Sequence, residues 1–562
     1  MRYTYKSVLV AVLGLFLVTG CDTEELHDLN VNPQAVSEID LHYLFSAAQL
    51  SMASNGATGD NRYIDWRTNI GLAAGAIQQL ATTGGISSNG MYYTHNEETA
   101  AAPFDFTYND QLKNIAEIVR QTSEGGFSEG EIQNTVNAAR IIKVWSFQRL
   151  TDFYGAVPYT EANRGLEGIF FPAYDNQSTI YPALLNELDE ATAGLSASNF
   201  DPGFESSDMI YQGDLAKWKR FGYSLMLRMA MRMSNVDPTN AATYVSKAVA
   251  GGVFQSNEDN VWIPMATEPS EWTNQNGISR AFYPGDGGNP STLSRTLVDF
   301  LKGFDENDAS DDDPRLMILT DGIGPWTSAG WDPSRVIKYI RAPGDTVVFT
   351  YKQDPLQQMG FPSGFFQSTV ASSRGWPSNF LQDTTFSRIN PYMLDDGDPY
   401  MIMNYAEVEF LLAEAAESGI GGVTNAAEHY EAGVRAAMQM LEPYFENNEG
   451  FTGTVTDADV DAYLAAYPYG AGGVTGSESA LEQIGYQMWA SKFMNWWEAW
   501  NDWRRTGFPA LAEFTENTAN VTNGSIPVRL PYPSTEIAAN PNFNQASHHN
   551  YTSPVWWDGG TE

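Results

Sequence analysis

A segment predicted to form a helix and then to stop abruptly, residues 137–163, constrains the fold more than any other part of the chain. Its apolar residues recur at steps of three and four, which places them on one face of a helix. They are Ala138, Ile141, Ile142, Trp145 and Phe153. Gly155 can adopt the left-handed conformation that ends helices, and Pro158 prevents the helix from resuming. The segment therefore predicts a buried helix followed by a change of chain direction.

Other stretches with helical periodicity predict that helices follow one another as antiparallel pairs. The predicted pairs are 137–154 with 179–195, 214–234 with 238–250, and 401–418 with 425–441. Residues 479–506 are predicted to form one long helix that ends at Gly507 and Pro509. Shorter helices are predicted at 40–53, 63–80 and 106–121. Recurring helix pairs with Ala and Tyr at their crossings resemble tetratricopeptide repeats, although the spacing here is irregular.

A loop-rich region, residues 253–400, interrupts the helical pairs. It is rich in Gly, Pro, Asn and Asp, and only 335–340 and 346–351 are predicted to form strands, as a hairpin. Its aromatic residues fit no helical stripe; they are Trp262, Trp272, Phe282, Tyr283, Trp326, Trp331, Phe365, Phe366 and Trp376. Long loops in a compact domain are usually functional or disordered. We call this region the irregular lobe.

The charge balance limits the class of partner. Lys and Arg total 31 against 69 Asp and Glu, which gives a formal net charge of −38. The negative electrostatic field of such a protein repels nucleic acid and disfavours the binding of anionic polymers. Aromatic residues make up 13% of the chain, more than a core usually needs, which suits either buried aromatic packing or exposed platforms for stacking.

The N-terminus is predicted to be a targeting signal and not part of the folded domain. Arg2 and Lys6 precede an apolar stretch, 8–18, that is too short to span a membrane. The sequence Val18-Thr19-Gly20-Cys21 then resembles a bacterial lipobox and holds the only cysteine, which also excludes an intramolecular disulfide. We therefore expect a signal peptide at 1–20, a lipid on Cys21, a flexible tether at 21–38 and one domain at 39–562.

The chain resembles SusD-like proteins, which are glycan-binding outer-membrane lipoproteins of Bacteroidetes. The first landmarks are Arg140, Trp145, Arg149, Asp152, Gly155, Val157, Pro158, Tyr159, Glu161 and Ala162. Later landmarks are Ala406-Glu407-Val408, Glu498-Ala499-Trp500, Arg504-Arg505-Thr506-Gly507, Pro531-Tyr532-Pro533 and Val555-Trp556-Trp557-Asp558. The resemblance implies a mostly α fold in which four degenerate tetratricopeptide-like helix pairs support an irregular lobe with a few short strands. It also implies a cell-surface location and a SusC-like TonB-dependent transporter as partner.

The candidate binding residues follow from the chemistry of sugars. Flat aromatic rings contact the apolar C–H faces of a sugar, while amides and carboxylates bind its hydroxyls. The resemblance implies a shallow arc made by early loops and the irregular lobe. The candidates are Trp66, Tyr92, Tyr93, Trp272, Asn274, Asn276, Tyr283, Trp326 and Trp331. A neutral polysaccharide or oligosaccharide, a glucan before a polyanion, is the expected ligand.

Two other functions remain open at this stage. Carboxylates are plentiful, so a glycoside hydrolase on a helical scaffold is an alternative, as is a helical-repeat scaffold that binds only protein. The sequence contains no H-E-x-x-H, no G-x-S-x-G and no Gly-rich phosphate loop, and we expect no catalytic residue and no cofactor. The acidic stretch 305–313 carries the oxygen ligands that calcium prefers, but its spacing is not that of an EF-hand and a solvated turn is the better interpretation.

Overall fold

The computed structural model describes residues 39–53, 63–82, 87–267, 273–282, 292–320, 336–342, 345–350, 354–375, 386–446, 453–513, 515–543 and 550–562. Of 336–342 and 345–350 only the backbone is described. The predicted signal peptide, Cys21 and the tether lie outside these residues. The structure therefore does not test those predictions.

Helices dominate the described part of the chain. The α-helices are α1 (Leu41–Ser51), α2 (Ser88–Tyr92), α3 (Glu97–Phe106), α4 (Leu112–Thr122), α5 (Gln133–Tyr154), α6 (Gln177–Gly194), α7 (Phe204–Ser207), α8 (Leu215–Arg232), α9 (Pro238–Gly251), α10 (Gly277–Ala281), α11 (Arg295–Leu301), α12 (Leu316–Leu319), α13 (Gln367–Arg374), α14 (Tyr405–Glu417), α15 (Ala426–Gln439), α16 (Asp457–Ala466), α17 (Ala480–Ser491), α18 (Trp496–Thr506) and α19 (Ser534–Ala539). Two π-helices span Asp65–Ala74 and Thr107–Gln111. Within the described residues, every helix is too short or too polar to cross a lipid bilayer.

The predicted helix pairs are confirmed. Helix α5 packs against α6, α8 against α9, and α14 against α15. Helix α5 ends where the sequence predicts, because Gly155 adopts a φ of 78° and its N–H donates to the carbonyl of Thr151 at 2.7 Å. A Cβ atom at Gly155 would also lie 2.7 Å from Nη2 of Arg529, so the position requires glycine for its space as well as its conformation. Trp145 is buried in the resulting core.

The prediction of one helix over 479–506 is wrong, because the chain breaks into α17 and α18. Met494 takes a left-handed φ of 73° between them. Other parts of the protein hold this turn in place: Asn69 Nδ2 donates to the Met494 carbonyl at 2.9 Å, and Asn495 Nδ2 donates to the Ile402 carbonyl at 3.3 Å. The break folds the segment back on itself and makes α17 and α18 the fourth helix pair.

The short strands join distant parts of the chain. They are β1 (Leu80–Ala81), β2 (Val261–Ile263), β3 (Thr292–Leu293), β4 (Val336–Ala342), β5 (Asp345–Thr350) and β6 (Tyr400–Met403). The pairs β1–β3, β2–β6 and β4–β5 are all antiparallel. The β4–β5 pair confirms the predicted hairpin. The pairs β1–β3 and β2–β6 connect the irregular lobe to the first helices and to α14, so the mostly α fold with a strand-poor lobe is confirmed.

A buried network of charges lies where the helix pairs meet. Arg232, in α8, contacts Asp152 Oδ2 at 3.1 Å, Glu498 Oε2 at 2.9 Å and Asp502 Oδ1 at 3.1 Å. All four side chains are at most 6% exposed. Asp152 is three residues from Arg149, within reach on one helix, yet its cationic partner comes from α8. The network thereby joins α5, α8 and α18.

The network continues to α14 and to the break after α17. Arg228 donates through Nε and Nη2 to the two carboxylate oxygens of Glu407, at 2.6 and 2.7 Å. The ammonium of Lys492, whose side chain is fully buried, lies 3.1 Å from Glu407 Oε1 and also contacts Asp502 Oδ2. Each charge in this network is thus compensated by a partner from another part of the chain.

Replacing Lys492 tests this network. We expect Lys492→Met to lower the free energy of unfolding by about 3–5 kcal/mol, because the change leaves Glu407 and Asp502 buried with less compensating charge. Chemical denaturation at neutral pH measures the difference. The control is Lys113→Met, which removes a half-exposed pair with Asp110 and should cost less than about 1 kcal/mol. Equal losses in the two variants would contradict a structural role for the buried ammonium.

The pH dependence of stability gives a second test. Burial opposes ionisation of Glu498, but Arg228, Arg232 and Lys492 outweigh it and lower the pKa to about 2. Its ionised form therefore stabilises the fold fully above the unfolded pKa of about 4.3, and this contribution is lost as the pH falls from there towards 2. We expect Glu498→Gln to flatten the fall in unfolding free energy over that window, whereas the control Glu167→Gln, which removes an exposed pair with Arg164, should change the slope much less. Parallel pH profiles for Glu498→Gln and wild type would argue against the lowered pKa.

Candidate functional site

The first helices and the irregular lobe meet in a small apolar cluster that is separate from the main core. It is made by Ala81, Met91, Tyr92, Phe361, Val370 and Phe386. Neighbouring backbone bonds fix the lobe strand behind it: Phe361 N donates to the Leu293 carbonyl at 2.9 Å, and Arg295 N donates to the Phe361 carbonyl at 2.8 Å. Tyr92, which lies in helix α2 rather than in the predicted early loop, is therefore packed against the lobe.

At the edge of this cluster an aromatic ring faces outward. Phe366 is 41% exposed and lies 5.5 Å, centroid to centroid, from the ring of Tyr92, which is only 6% exposed. The Tyr92 hydroxyl donates to the carbonyl of Phe365 at 3.1 Å. Burial, with a smaller contribution from the charge of Glu516, raises the pKa of Tyr92 to about 12, so the hydroxyl keeps its proton and this bond at neutral pH. Tyr92 thus supports the Phe366 ring from behind.

A carboxylate from the distant C-terminal part of the chain lies beside the exposed ring. Oε2 of Glu516 accepts from Phe366 N at 2.9 Å and from Thr369 Oγ1 at 2.8 Å. The backbone N–H of Glu516 donates to the Gly364 carbonyl at 2.9 Å. Among the described residues nothing donates to its second oxygen, Oε1. We call Tyr92, Phe366, Thr369 and Glu516 the platform.

The platform has the two features that recognition of a sugar requires. The exposed ring of Phe366 offers a flat apolar face for C–H groups. The half-buried carboxylate of Glu516 offers an acceptor for a hydroxyl, and its existing hydrogen bonds hold it in place.

The other predicted residues with described positions have mainly structural contacts. Trp66 lies in the first π-helix, half-buried against the main core. Tyr93 caps α2 with a φ of 52° and is 3% exposed, and its carbonyl accepts from Val521 N at 2.9 Å. Asn276 caps α10 through Ile278 N and donates to the Asp398 carbonyl at 3.0 Å. Asn274 is half-buried, and its carbonyl accepts from Ala266 N at 2.9 Å.

Trp272, Tyr283, Trp326 and Trp331 lie outside the described residues and stay predictions. Phe366 and Glu516 were not among the predicted site residues. The adjacent Phe365-Phe366 after Gly364, in a loop without helical periodicity, was the available signal for the ring. Nothing local marks Glu516, because only the tertiary fold brings it to the lobe.

The carboxylates of the lobe are the remaining candidates for metal ligands or catalytic groups. Within the described ranges, no three His, Cys, Asp or Glu side chains are grouped so that they could hold a metal ion. In the acidic stretch, Asp313 is bound by Arg315 at 2.6 Å. Burial, and less strongly Asp395, raises the pKa of Asp398 to about 9, but this carboxyl is 0% exposed and cannot reach a glycosidic bond.

Comparisons with known proteins agree with this architecture. Residues 33–344 and 348–533 match the SusD-like family model described as starch-binding and associating with the outer membrane. A solved chitin-binding protein is 31% identical, with 92% of this chain and 100% of that chain covered and a TM-score of 0.72. A SusD homologue from Bacteroides uniformis is 24% identical, with coverage of 92% and 99% and a TM-score of 0.67. A chitin-binding SusD homologue from Flavobacterium johnsoniae is 22% identical, with coverage of 92% and 98% and a TM-score of 0.66.

The search of curated proteins returned no match. The solved structures below 25% identity share the fold, while the family model and the 31% identical structure carry the assignment. Members of the family are carbohydrate-binding, non-catalytic proteins associated with the outer membrane. On this evidence the chain belongs to the SusD-like family.

Proposed function

We propose that this protein is a non-catalytic receptor that captures a neutral polysaccharide or oligosaccharide at the cell surface. The observation that carries the proposal is the exposed Phe366 ring, which is supported by buried Tyr92 and flanked by the Glu516 carboxylate. Trp272, Tyr283, Trp326 and Trp331, which belong to the same lobe in the sequence, are further candidates for ligand contact in this proposal.

The ligand class follows from charge and from similarity. A formal net charge of −38 disfavours uronic-acid and sulfated polymers, whereas it has no effect on a neutral chain. A neutral glucan fits this condition, and so does chitin. Chitin oligosaccharides are the first ligand to test, because the 31% identical structure is named a chitin-binding protein.

The place of action follows from the N-terminus. A lipid on Cys21 anchors the protein in the outer membrane, and the captured glycan passes to a SusC-like TonB-dependent transporter. Support comes from the lipobox-like Val18-Thr19-Gly20-Cys21 and from the description of the matching family as associating with the outer membrane.

Incubation with a glycan panel separates this function from the alternatives. Chitin and starch oligosaccharides are mixed with the protein, and both gel mobility and product chain length are measured. Retarded mobility without shorter products supports a receptor. Shorter products would make the protein a glycoside hydrolase, and neither effect on any glycan would favour a protein-binding scaffold.

Substitution of the platform rings tests the site. We expect a dissociation constant roughly between millimolar and micromolar for wild type, because a shallow platform buries little ligand surface. Phe366→Ala and Trp272→Ala should each weaken binding at least tenfold, about 1.4 kcal/mol, with Tm changed by no more than a degree or two. Calorimetry and thermal unfolding measure both quantities.

The matched control is Phe200→Ala, which removes a ring that is 86% exposed and lies outside the lobe. Its affinity should equal that of wild type. If Phe366→Ala and Phe200→Ala bind alike, Phe366 is not part of the site. If the Phe366→Ala variant loses glycan binding and its Tm also falls strongly, the Phe366 ring stabilises the core and is not a ligand contact.

Replacing the cysteine tests the anchor. We expect Cys21→Ala to move the protein from the membrane fraction to the supernatant, because removal of the acyl chains removes about 0.8 kcal/mol per buried methylene. The tether precedes the domain, so Tm should not change. Fractionation of cells followed by a salt wash makes the measurement, and a variant that stays in the membrane after the wash would rule out lipid anchoring at this residue.

A further inference from the structure

The carboxylate of Glu516 at the platform uses only one of its two oxygens for the fold. Oε2 is held at the start of α13 by Phe366 N and Thr369 Oγ1, at 2.9 and 2.8 Å. Oε1 has no donor among the described residues, and unlike the buried unpaired oxygens of the protein it is accessible to solvent. Because Glu516 is bound to the backbone of the residue whose ring is exposed, a ligand that contacts the Phe366 ring can also reach Oε1.

The negative charge of Glu516 lacks a cationic partner within the part of the chain that the structure describes. No Lys, Arg or His side chain there forms an ion pair with it, whereas Glu407 is paired with Arg228. Glu513, an exposed residue on the same segment, adds a second negative charge. The N–H groups at the start of α13 offset only part of the charge on Glu516. The platform therefore presents a net negative group beside its aromatic ring.

The exposed ring and the carboxylate favour the same kind of ligand group. The Phe366 ring is 41% exposed, and an aromatic ring attracts a positively charged group placed over its face. A hydrogen bond from an ammonium group to a carboxylate is about twice as strong as one between neutral partners. An ammonium group on a sugar thus gains from both features, while a hydroxyl at the same place gains only a weaker hydrogen bond.

The electrostatic field of the whole protein acts in the same direction. The formal net charge is −38, from 31 Lys and Arg against 69 Asp and Glu. Such a field repels anionic polymers, and for the same reason it attracts a cationic chain before contact is made. The overall charge therefore distinguishes a cationic glycan from a neutral one, and Glu516 provides a specific place for the cationic group.

From these features we infer that the platform prefers chains that carry free amines, such as the glucosamine units of partly deacetylated chitin, over fully acetylated chains. At mildly acidic pH the amine of such a unit is protonated, and it donates to Oε1 of Glu516 while the sugar contacts the Phe366 ring. The inference rests on the proposed function, because it assigns a more specific substrate class to the same site.

The test compares a tetramer of glucosamine with a tetramer of N-acetylglucosamine, which has the same backbone but no free amine. Calorimetry at mildly acidic pH and low salt measures the affinity of the full protein for each. We expect the glucosamine tetramer to bind at least about fivefold more tightly, because a charge-assisted hydrogen bond replaces a neutral one. Added salt should reduce this advantage by screening, while the affinity for the acetylated tetramer should not change.

The possible outcomes separate this inference from the proposed function. If the acetylated tetramer binds as tightly as the glucosamine tetramer, the inference is wrong and the proposed function stands. If neither tetramer binds, the inference is wrong and chitin is also removed as a ligand. If only the glucosamine tetramer binds, the inference is supported and the neutral chain is removed from the proposed function.

Two variants locate the preference. In Glu516→Gln the side-chain oxygen can still accept from Phe366 N and Thr369 Oγ1, so Tm should stay close to that of wild type. The ratio of the two affinities should fall at least about threefold, because the negative partner of the amine is removed. The matched control is Glu431→Gln, which removes one charge from an exposed position in α15, outside the lobe, and should keep the wild-type ratio.

The comparison of the variants also tests the assigned residue. A wild-type ratio in Glu516→Gln would overturn the inference. An equal fall of the ratio in both variants would show that net charge alone produces the preference, and it would overturn the assignment of the amine contact to Glu516.

Discussion

The architecture depends on the buried charges at the centre of the helical pairs. Arg228, Arg232 and Lys492 face Glu407, Glu498, Asp502 and Asp152, and these residues come from α5, α8, α14, α18 and the break after α17. Any displacement of one helix would leave a charge buried without its partner, which is far more costly than losing an exposed ion pair. The network therefore fixes the relative positions of these helices. The spacing of the helix repeats is too irregular to fix those positions by itself.

This fixed frame explains why the lobe can be irregular. The strand pairs β1–β3 and β2–β6 and the bond from the Tyr400 hydroxyl to Asp65 at 2.8 Å attach the lobe to the helical frame at several points. Between these points the described residues form loops, short helices and a hairpin, and such segments can present a ring such as Phe366 at the surface without exposing a helix core. Rigid support with a variable surface suits a receptor for an extended ligand. On the platform, one face of the Phe366 ring is open and a carboxylate oxygen remains available, which suits a ligand with many hydroxyls that stay partly in water.

The sequence alone determined the features that local chemistry controls: the helix faces, the stop at Gly155, the β4–β5 hairpin and, through the landmark residues, the family. It did not determine the break between α17 and α18, where Asn69 and Ile402 hold a turn that no local signal marks. Nor did it identify Arg232 as the partner of Asp152, or Glu516 as the neighbour of Phe366. Periodicity reports which face of a segment is buried, whereas the identity of the group across that face depends on long-range packing, and only the tertiary structure decides it.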